Sequence, residues 1–187
     1  MNLPNKLTVF RALLAPMFLV LLVYQHFLPA LIIFVIASLT DYFDGMLARK
    51  HNLVTSFGKF LDPLADKILT TMAFLGFIYL NLGYGIVFVS AIILIREFVV
   101  TGIRLTAQGS GTVIAAGTLG KIKTVTQIIA IIAAVAAEYT LSQSWLLDFE
   151  RHMRVGYSIL LWTSAVAAII SGIEYAISNR KFIDTRK

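Results

Sequence analysis

The amino-acid sequence predicts an all-α, polytopic membrane protein with six transmembrane helices, and three observations predict it. Hydrophobic residues make up 58% of the 187-residue chain and charged residues only 14%, against about 25% charged in soluble domains. The apolar residues fall into six runs, several of them near the roughly 20 residues that cross a bilayer. Lys and Arg gather on alternate connections between those runs. A chain of this length suits one domain. We therefore expect residues 1–187 to form a single membrane-embedded unit with no sizeable soluble part.

The first helix is expected over residues 7–25. Its apolar run is reminiscent of a signal peptide, but Arg11 comes early, no small-x-small cleavage site follows, and Pro29 directly opens another apolar stretch. It is read as a retained helix. The second, 29–49, runs from Pro29 to Arg49, and the third, 59–80, starts just past Gly58. The fourth, 85–106, carries Arg96 and Arg104 near its end. The fifth, 119–139, holds the Ala-rich stretch AIIAAVAAE at 130–138, which suits close helix packing. The sixth, 154–177, follows Trp145, a residue type that anchors at membrane interfaces.

Of 16 Lys and Arg residues, fourteen fall on the two termini, the second and fourth connections and their flanks; only Arg151 and Arg154 lie on the other side. The positive-inside rule then places both termini and both basic connections in the cytoplasm. Topology thus accounts for most of the net charge of +6, and no basic soluble module exists to bind nucleic acid. The chain has no cysteine, which excludes disulfides, thiolate nucleophiles and Cys-based zinc sites. His26, His51 and His152 sit in connections without a partner at ligand spacing and are read as solvated.

Four aspartates break the apolar pattern. Asp41 and Asp44 are three apart near the end of the second helix, and Asp62 and Asp66 are four apart near the start of the third. Each spacing puts its pair on one helical face. A short connection joins the two helices, which are expected to be antiparallel neighbours. Asp41 precedes Arg49 by eight residues and Asp66 follows Gly58 by eight, about 12 Å along each helix. The pairs can therefore meet at one level. An unpaired Asp in mid-membrane costs about 2.5–3.5 kcal/mol, and four together repel one another. Protonation or bound cations relieve this; the alternative is ion pairing with Arg49, Lys59 and Lys67. Clustered carboxylates without Cys or His suit a hard dication, Mg²⁺ or Mn²⁺. Four could hold two ions roughly 4 Å apart, a clamp suited to displacement at phosphorus. Gly45, Ala48 and Gly58 interleave the acids and lack bulk where the helices would face a ligand.

At these residues the chain resembles the CDP-alcohol phosphotransferase family. The family signature D-x-x-D-G-x-x-A-R-(x)8-G-x-x-x-D-x-x-x-D is matched without departure by Asp41, Asp44, Gly45, Ala48, Arg49, Gly58, Asp62 and Asp66. NLPNKLTVFR at 2–11, GKFLDPLADK at 58–67, REFVVTGIR at 96–104 and GKIKTVTQ at 120–127 extend the resemblance, which is closest to the bacterial glycerophosphate branch. It implies a six-helix membrane enzyme, a homodimer, with its site at the cytoplasmic membrane surface. Such enzymes move a phosphatidyl group from CDP-diacylglycerol to an alcohol, here sn-glycerol 3-phosphate, and release CMP. By the same resemblance Asp41, Asp44 and Asp62 would hold one metal ion, and Asp41, Asp62 and Asp66 the other. Asp66 would also act as base on the attacking hydroxyl. Gly45, Arg49 and Thr55 would contact the CDP part, with Asn5 and Thr8 lining it more loosely. A carboxylate bound to a dication is a weak base, so a metal-lowered alcohol pKa would share that work.

A phosphomonoester acceptor needs cations, and Lys59, Arg96, Arg104, Lys121 and Lys123 cluster on the expected cytoplasmic side. Arg grips phosphate bidentately; snorkelling and topology marking are the competing roles. Arg96 and Arg104, eight apart, can share a face. Glu97 either orients Arg96 or neutralises it.

Two rival readings are weighed against this one. The same chemistry on another acceptor (inositol phosphate, serine or phosphatidylglycerol) fits REFVVTGIR and GKIKTVTQ less well. A cation transporter would place its acids near the midplane on broken helices and leave Arg49 and the glycines without a role.

Overall fold

The computed structural model describes the backbone of residues 3–51, 56–109, 114, 117–144 and 147–182, and side chains over 7–40, 67–107, 109, 114, 117–144, 148–180 and 182. Six helices follow in order: α1 Leu3–Val23, α2 Phe27–His51, α3 Ser56–Leu80, α4 Ile86–Gly109, α5 Thr118–Ser142 and α6 Glu150–Ser178. No strand occurs among the described residues. The protein is an all-α, six-helix membrane protein.

The helices outrun the apolar stretches from which they were expected. α1 begins at Leu3 rather than 7 because Pro4 is tolerated in a first turn, where its missing N–H costs nothing. α6 begins at Glu150 rather than 154. There Glu150 accepts from Arg154 Nε at 2.9 Å across one turn, and an acidic residue in the first turn complements the helix dipole. Hydropathy marks what lies in lipid, whereas the backbone ladder continues into polar residues.

The principal contacts close a ring: α1 packs on α2 and α3, α2 on α5, α5 on α6, α6 on α4, and α4 on α3. In their described halves α2 and α3 barely touch; the direct contact expected of them falls at their acid-bearing ends, outside the described side chains. α1 holds the described halves of both. Phe18 of α1 stacks on Phe34 of α2 with ring centroids 5.3 Å apart. On the other side Gly76 of α3 lies so close to α1 that an added Cβ would stand 2.5 Å from Leu22 Cδ2. Small residues do the same elsewhere: Ala30, Ala37, Ala73, Ala130, Ala134 and Ala165 are wholly buried, as close packing between membrane helices requires.

Three tight turns gather at one end of the ring. Gln25, Asn81 and Ser144 take left-handed φ angles of 60°, 53° and 59° in the α1–α2, α3–α4 and α5–α6 turns. Gly83 and Gly85 also have positive φ, and Gly83 presses against Leu161 of α6. The α3–α4 turn is pinned there: Ser158 Oγ accepts from Tyr84 N at 3.0 Å, and Trp162 Nε1 donates to Tyr84 O at 2.9 Å. Gln25, Phe27, Leu80, Leu82, Ser142 and Glu150 from all three turns line one cavity of about 300 Å³. By alternation, the starts of α1, α3 and α5 and the ends of α2, α4 and α6 lie at the opposite end.

Ile86–Ala107, Thr118–Ser142 and Glu150–Ser178 are long and apolar enough to cross a bilayer; the described parts of α1, α2 and α3 are apolar but shorter. Large apolar side chains such as Leu13, Phe88, Ile95, Phe98 and Ile177 point outward and are exposed. Such a surface suits lipid rather than water.

Candidate active site

α2 runs unbroken through Asp41, Asp44, Gly45, Ala48 and Arg49, and α3 through Gly58, Lys59, Asp62 and Asp66. All eight signature positions are therefore helical, and the acids fall at matched depths. Asp44 stands seven residues before the end of α2 at His51, and Asp62 six residues after the start of α3 at Ser56. Asp41 and Asp66 are each ten residues from those ends, about 15 Å along the axis. The side chains of these residues and of Asn5 on α1 lie outside the described residues, as do Thr55 and Trp145.

The far-end cavity supplies a common datum for depth. From its lining residues Phe27, Leu80 and Ser142, Asp44 is 17 residues along α2, Asp62 is 18 along α3, and Lys123 is 19 along α5. At 1.5 Å rise these positions all lie about 26–28 Å from the cavity, in one layer. The ring order completes the relationship. α5 borders α2, the helix of Asp41 and Asp44; α4 borders α3, the helix of Asp62 and Asp66. Basic residues of α4 and α5 thus stand on helices packed directly against the two acidic ones.

The donor set in this layer fits hard divalent cations: four carboxylates on two continuous helices at equal depth, in a chain without cysteine. Among the described residues no other group of three or more His, Cys, Asp or Glu could hold a metal ion. His26 and His152 are exposed, as expected.

The acceptor-pocket candidates separate by environment. Lys121 is exposed, whereas Lys123 is buried with its ammonium paired to Glu97. Arg96 donates from Nη1 to the same oxygen, Glu97 Oε1, at 3.0 Å. Arg104 is half-buried and reaches α6, donating from Nε to Tyr175 Oη at 3.2 Å, with its guanidinium 5.6 Å from the ring centroid. Arg96 also reaches α6, at Gly172. The expected shared face of Arg96 and Arg104 exists, and it is the face toward α6. Glu97 does more than neutralise its neighbour, since it ties α4 to α5.

Thr8 on α1 is wholly buried between the helices that carry the acids. Arg11, one turn further, is equally buried. Sequence reading made Arg11 a topology marker, but a marker sits in the headgroup layer. Burial makes it part of the interior near the acid-bearing helices. The signal was available: Arg11 follows Thr8 at i+3 on a helix face that is otherwise apolar. Gln127, one turn past Lys123 on α5, is fully buried, and its Nε2 has no hydrogen-bond partner among the described residues.

Comparison with known proteins shows what the chain resembles. The sequence pattern of the family described as CDP-alcohol phosphatidyltransferase matches residues 1–170. A protein of Bacillus subtilis (strain 168) named CDP-diacylglycerol--glycerol-3-phosphate 3-phosphatidyltransferase is 39% identical over 199 residues, covering 98% of each chain. Proteins of the same name from Rickettsia bellii (strain RML369-C) and Wigglesworthia glossinidia brevipalpis are 36% identical, covering 97% of each chain, and 34% identical, covering 94% of this chain and 93% of the relative.

Proposed function

The chain belongs to the CDP-alcohol phosphatidyltransferase family, and we propose that it transfers the phosphatidyl group of CDP-diacylglycerol to sn-glycerol 3-phosphate. The products are phosphatidylglycerophosphate and CMP. The observation that carries this reading is the shared layer: acidic positions of α2 and α3 level with Lys123 of α5, on helices that border one another. The printed names of relatives matching nearly the whole chain support the choice of acceptor.

In the reaction the acceptor's primary hydroxyl oxygen attacks the phosphorus that bears the diacylglycerol. The bond from that phosphorus to the bridging oxygen breaks, and CMP leaves with the electron pair. Asp41, Asp44, Asp62 and Asp66 would hold two divalent ions, Mg²⁺ or Mn²⁺, which would supply positive charge to the diphosphate and the leaving group. Asp66 takes the proton of the attacking hydroxyl. Gly45, Ala48 and Gly58 leave room for the nucleotide, which Arg49, Thr55, Asn5 and Thr8 contact. Lys59, Arg96, Arg104, Lys121 and Lys123 hold the acceptor's phosphate and orient its hydroxyl.

The site lies at the end of the ring remote from the tight turns. Fourteen of 16 basic residues belong to that end, which supports a cytoplasmic orientation with six crossings and both termini inside. Lipid reaches such a site laterally while glycerol 3-phosphate and CMP pass to water. The six helices act as one domain over residues 1–187, and the enzyme works as a homodimer, as the family likeness implies.

Purified protein with CDP-diacylglycerol, labelled sn-glycerol 3-phosphate and Mg²⁺ is expected to release CMP and a labelled lipid. Release with inositol phosphate, serine or phosphatidylglycerol but not glycerol 3-phosphate moves the enzyme to a sibling acceptor. No CMP with any acceptor or metal ends the enzymatic reading.

A further inference from the structure

The basic residues of the acceptor pocket do not stand alone. Arg96 and Glu97 are adjacent on α4, and adjacent residues on a helix do not normally face each other. Here they meet because of the path Arg96 takes. Its stem lies across Gly172 of α6, so close that a Cβ there would stand 2.9 Å from Arg96 Cγ. Its guanidinium then turns toward α5, where Nη2 would be 3.8 Å from a Cβ on Gly120. Gly172 thus leaves a channel for one long side chain, and Gly120 borders it at ordinary contact distance.

At the end of that channel Glu97 Oε1 accepts from Arg96 Nη1 and from Lys123 Nζ. All three side chains are nearly enclosed, with 11%, 13% and 5% of Arg96, Glu97 and Lys123 exposed. Two enclosed cations repel, and in low dielectric the repulsion is strong. One carboxylate oxygen between them fixes their separation and leaves the trio with a net charge of +1. Arg96 keeps its Nε buried, with no hydrogen-bond partner among the described residues. Lys67 of α3 lies close enough to act on Glu97 electrostatically, so the trio also borders the helix of Asp62 and Asp66.

We propose that Glu97 is a positioning residue for the acceptor's phosphomonoester: it holds Arg96, seated on Gly172, and Lys123 as one unit at the spacing that grips phosphate. Glu97 touches neither substrate nor metal and acts through the two cations. This deepens the proposed transfer to sn-glycerol 3-phosphate and rests on it.

The test uses the full-length protein in mixed micelles, with KM for each substrate measured separately. Glu97→Gln keeps the shape and removes the charge; Gly172→Ala keeps every charge and displaces the Arg96 stem. Each is expected to raise KM for glycerol 3-phosphate about tenfold or more, the scale of losing one charge-assisted hydrogen bond. KM for CDP-diacylglycerol should stay within about twofold of wild type. Glu97→Asp, which retains the charge on a shorter arm, should recover part of the loss. A merely structural role predicts instead that both KM values move together, or that only thermal stability falls; either result overturns the proposal. If Glu97→Gln fails to fold, Gly172→Ala decides alone, and an unchanged KM for glycerol 3-phosphate refutes the positioning role. Wild-type protein that releases no CMP with glycerol 3-phosphate overturns the proposed transfer and this inference with it.

Discussion

Tyr157 of α6 donates its phenol to Glu138 of α5 at 2.7 Å, with both side chains buried. Arg154 joins them, 3.4 Å from Glu138 Oε2 and 2.9 Å from Glu150. This cluster lines or adjoins the far-end cavity, remote from the acidic layer, and it clips two helices together. Tyr157→Phe should therefore cost stability without touching catalysis. The loss of one hydrogen bond to a charged group is about 1.5–3 kcal/mol. Thermal denaturation in detergent should show the drop, and KM values at a permissive temperature should be those of wild type. A variant as stable as wild type would mean the phenol contributes nothing to the clip.

Gly83 tests the turn that pins α4 to α6. Its φ is +97°, and a Cβ would lie 2.9 Å from Leu161 Cδ1. An L side chain at left-handed φ costs about 1–2 kcal/mol, and the overlap with Leu161 adds to it. Gly83→Ala is expected to lower stability by at least that much, read by the same denaturation. Gly102 is the control, because nothing among the described residues lies within 4 Å of its added Cβ and Ala is the better helix former. Gly102→Ala should be neutral or stabilising.

The metal-binding role proposed for the aspartates predicts loss of turnover with retention of fold. Asp62→Asn and Asp66→Asn each remove one negative charge from the layer where α2 and α3 match in depth. Removing a group that holds developing charge costs about a hundredfold or more in kcat. Each variant should lose CMP release by that factor while inserting in the membrane and eluting from gel filtration as wild type does. A chelator should abolish activity, and added Mg²⁺ or Mn²⁺ should restore it. Activity that survives exhaustive chelation contradicts metal binding by the four aspartates.

Most of the fold was legible because lipid simplifies the sequence code. An apolar run near bilayer length has few alternatives to a helix, and all six helices were expected within a few residues of where they lie. What was not legible is the ring order. A four-residue connection between α2 and α3 argues for direct contact. In the described halves the chain sets α1 against both, through Phe18 on Phe34 and Leu22 against Gly76. The candidate site is legible as Asp41, Asp44, Asp62 and Asp66 on α2 and α3, since acids in an apolar run are costly and so conspicuous. The roles of Arg11, Glu97, Glu138 and Gly172 are not. The contacts of Glu97, Glu138 and Gly172 each involve a partner on another helix, and a periodicity carries no information about that partner.

Arg104 and Tyr175 give the last prediction. Arg104 Nε donates to Tyr175 Oη, and the guanidinium lies over the ring at 5.6 Å. The contact aims a half-buried guanidinium from α4 along α6, on the face it shares with Arg96. Tyr175→Phe keeps the ring and its attraction for the cation, about 0.5–1 kcal/mol at such a site, but removes the oxygen that accepts from Nε. KM for glycerol 3-phosphate should rise only about two- to fivefold, corresponding to one weak hydrogen bond. Arg104→Lys keeps the charge but loses the planar fork that pairs two phosphate oxygens, and about a tenfold rise or more is expected. The order of the two effects is what separates a phosphate-gripping Arg104 from one that merely fastens α4 to α6. In the first case the Lys variant is the worse of the two and its defect is confined to glycerol 3-phosphate. In the second, both variants lose thermal stability and the KM for glycerol 3-phosphate does not change.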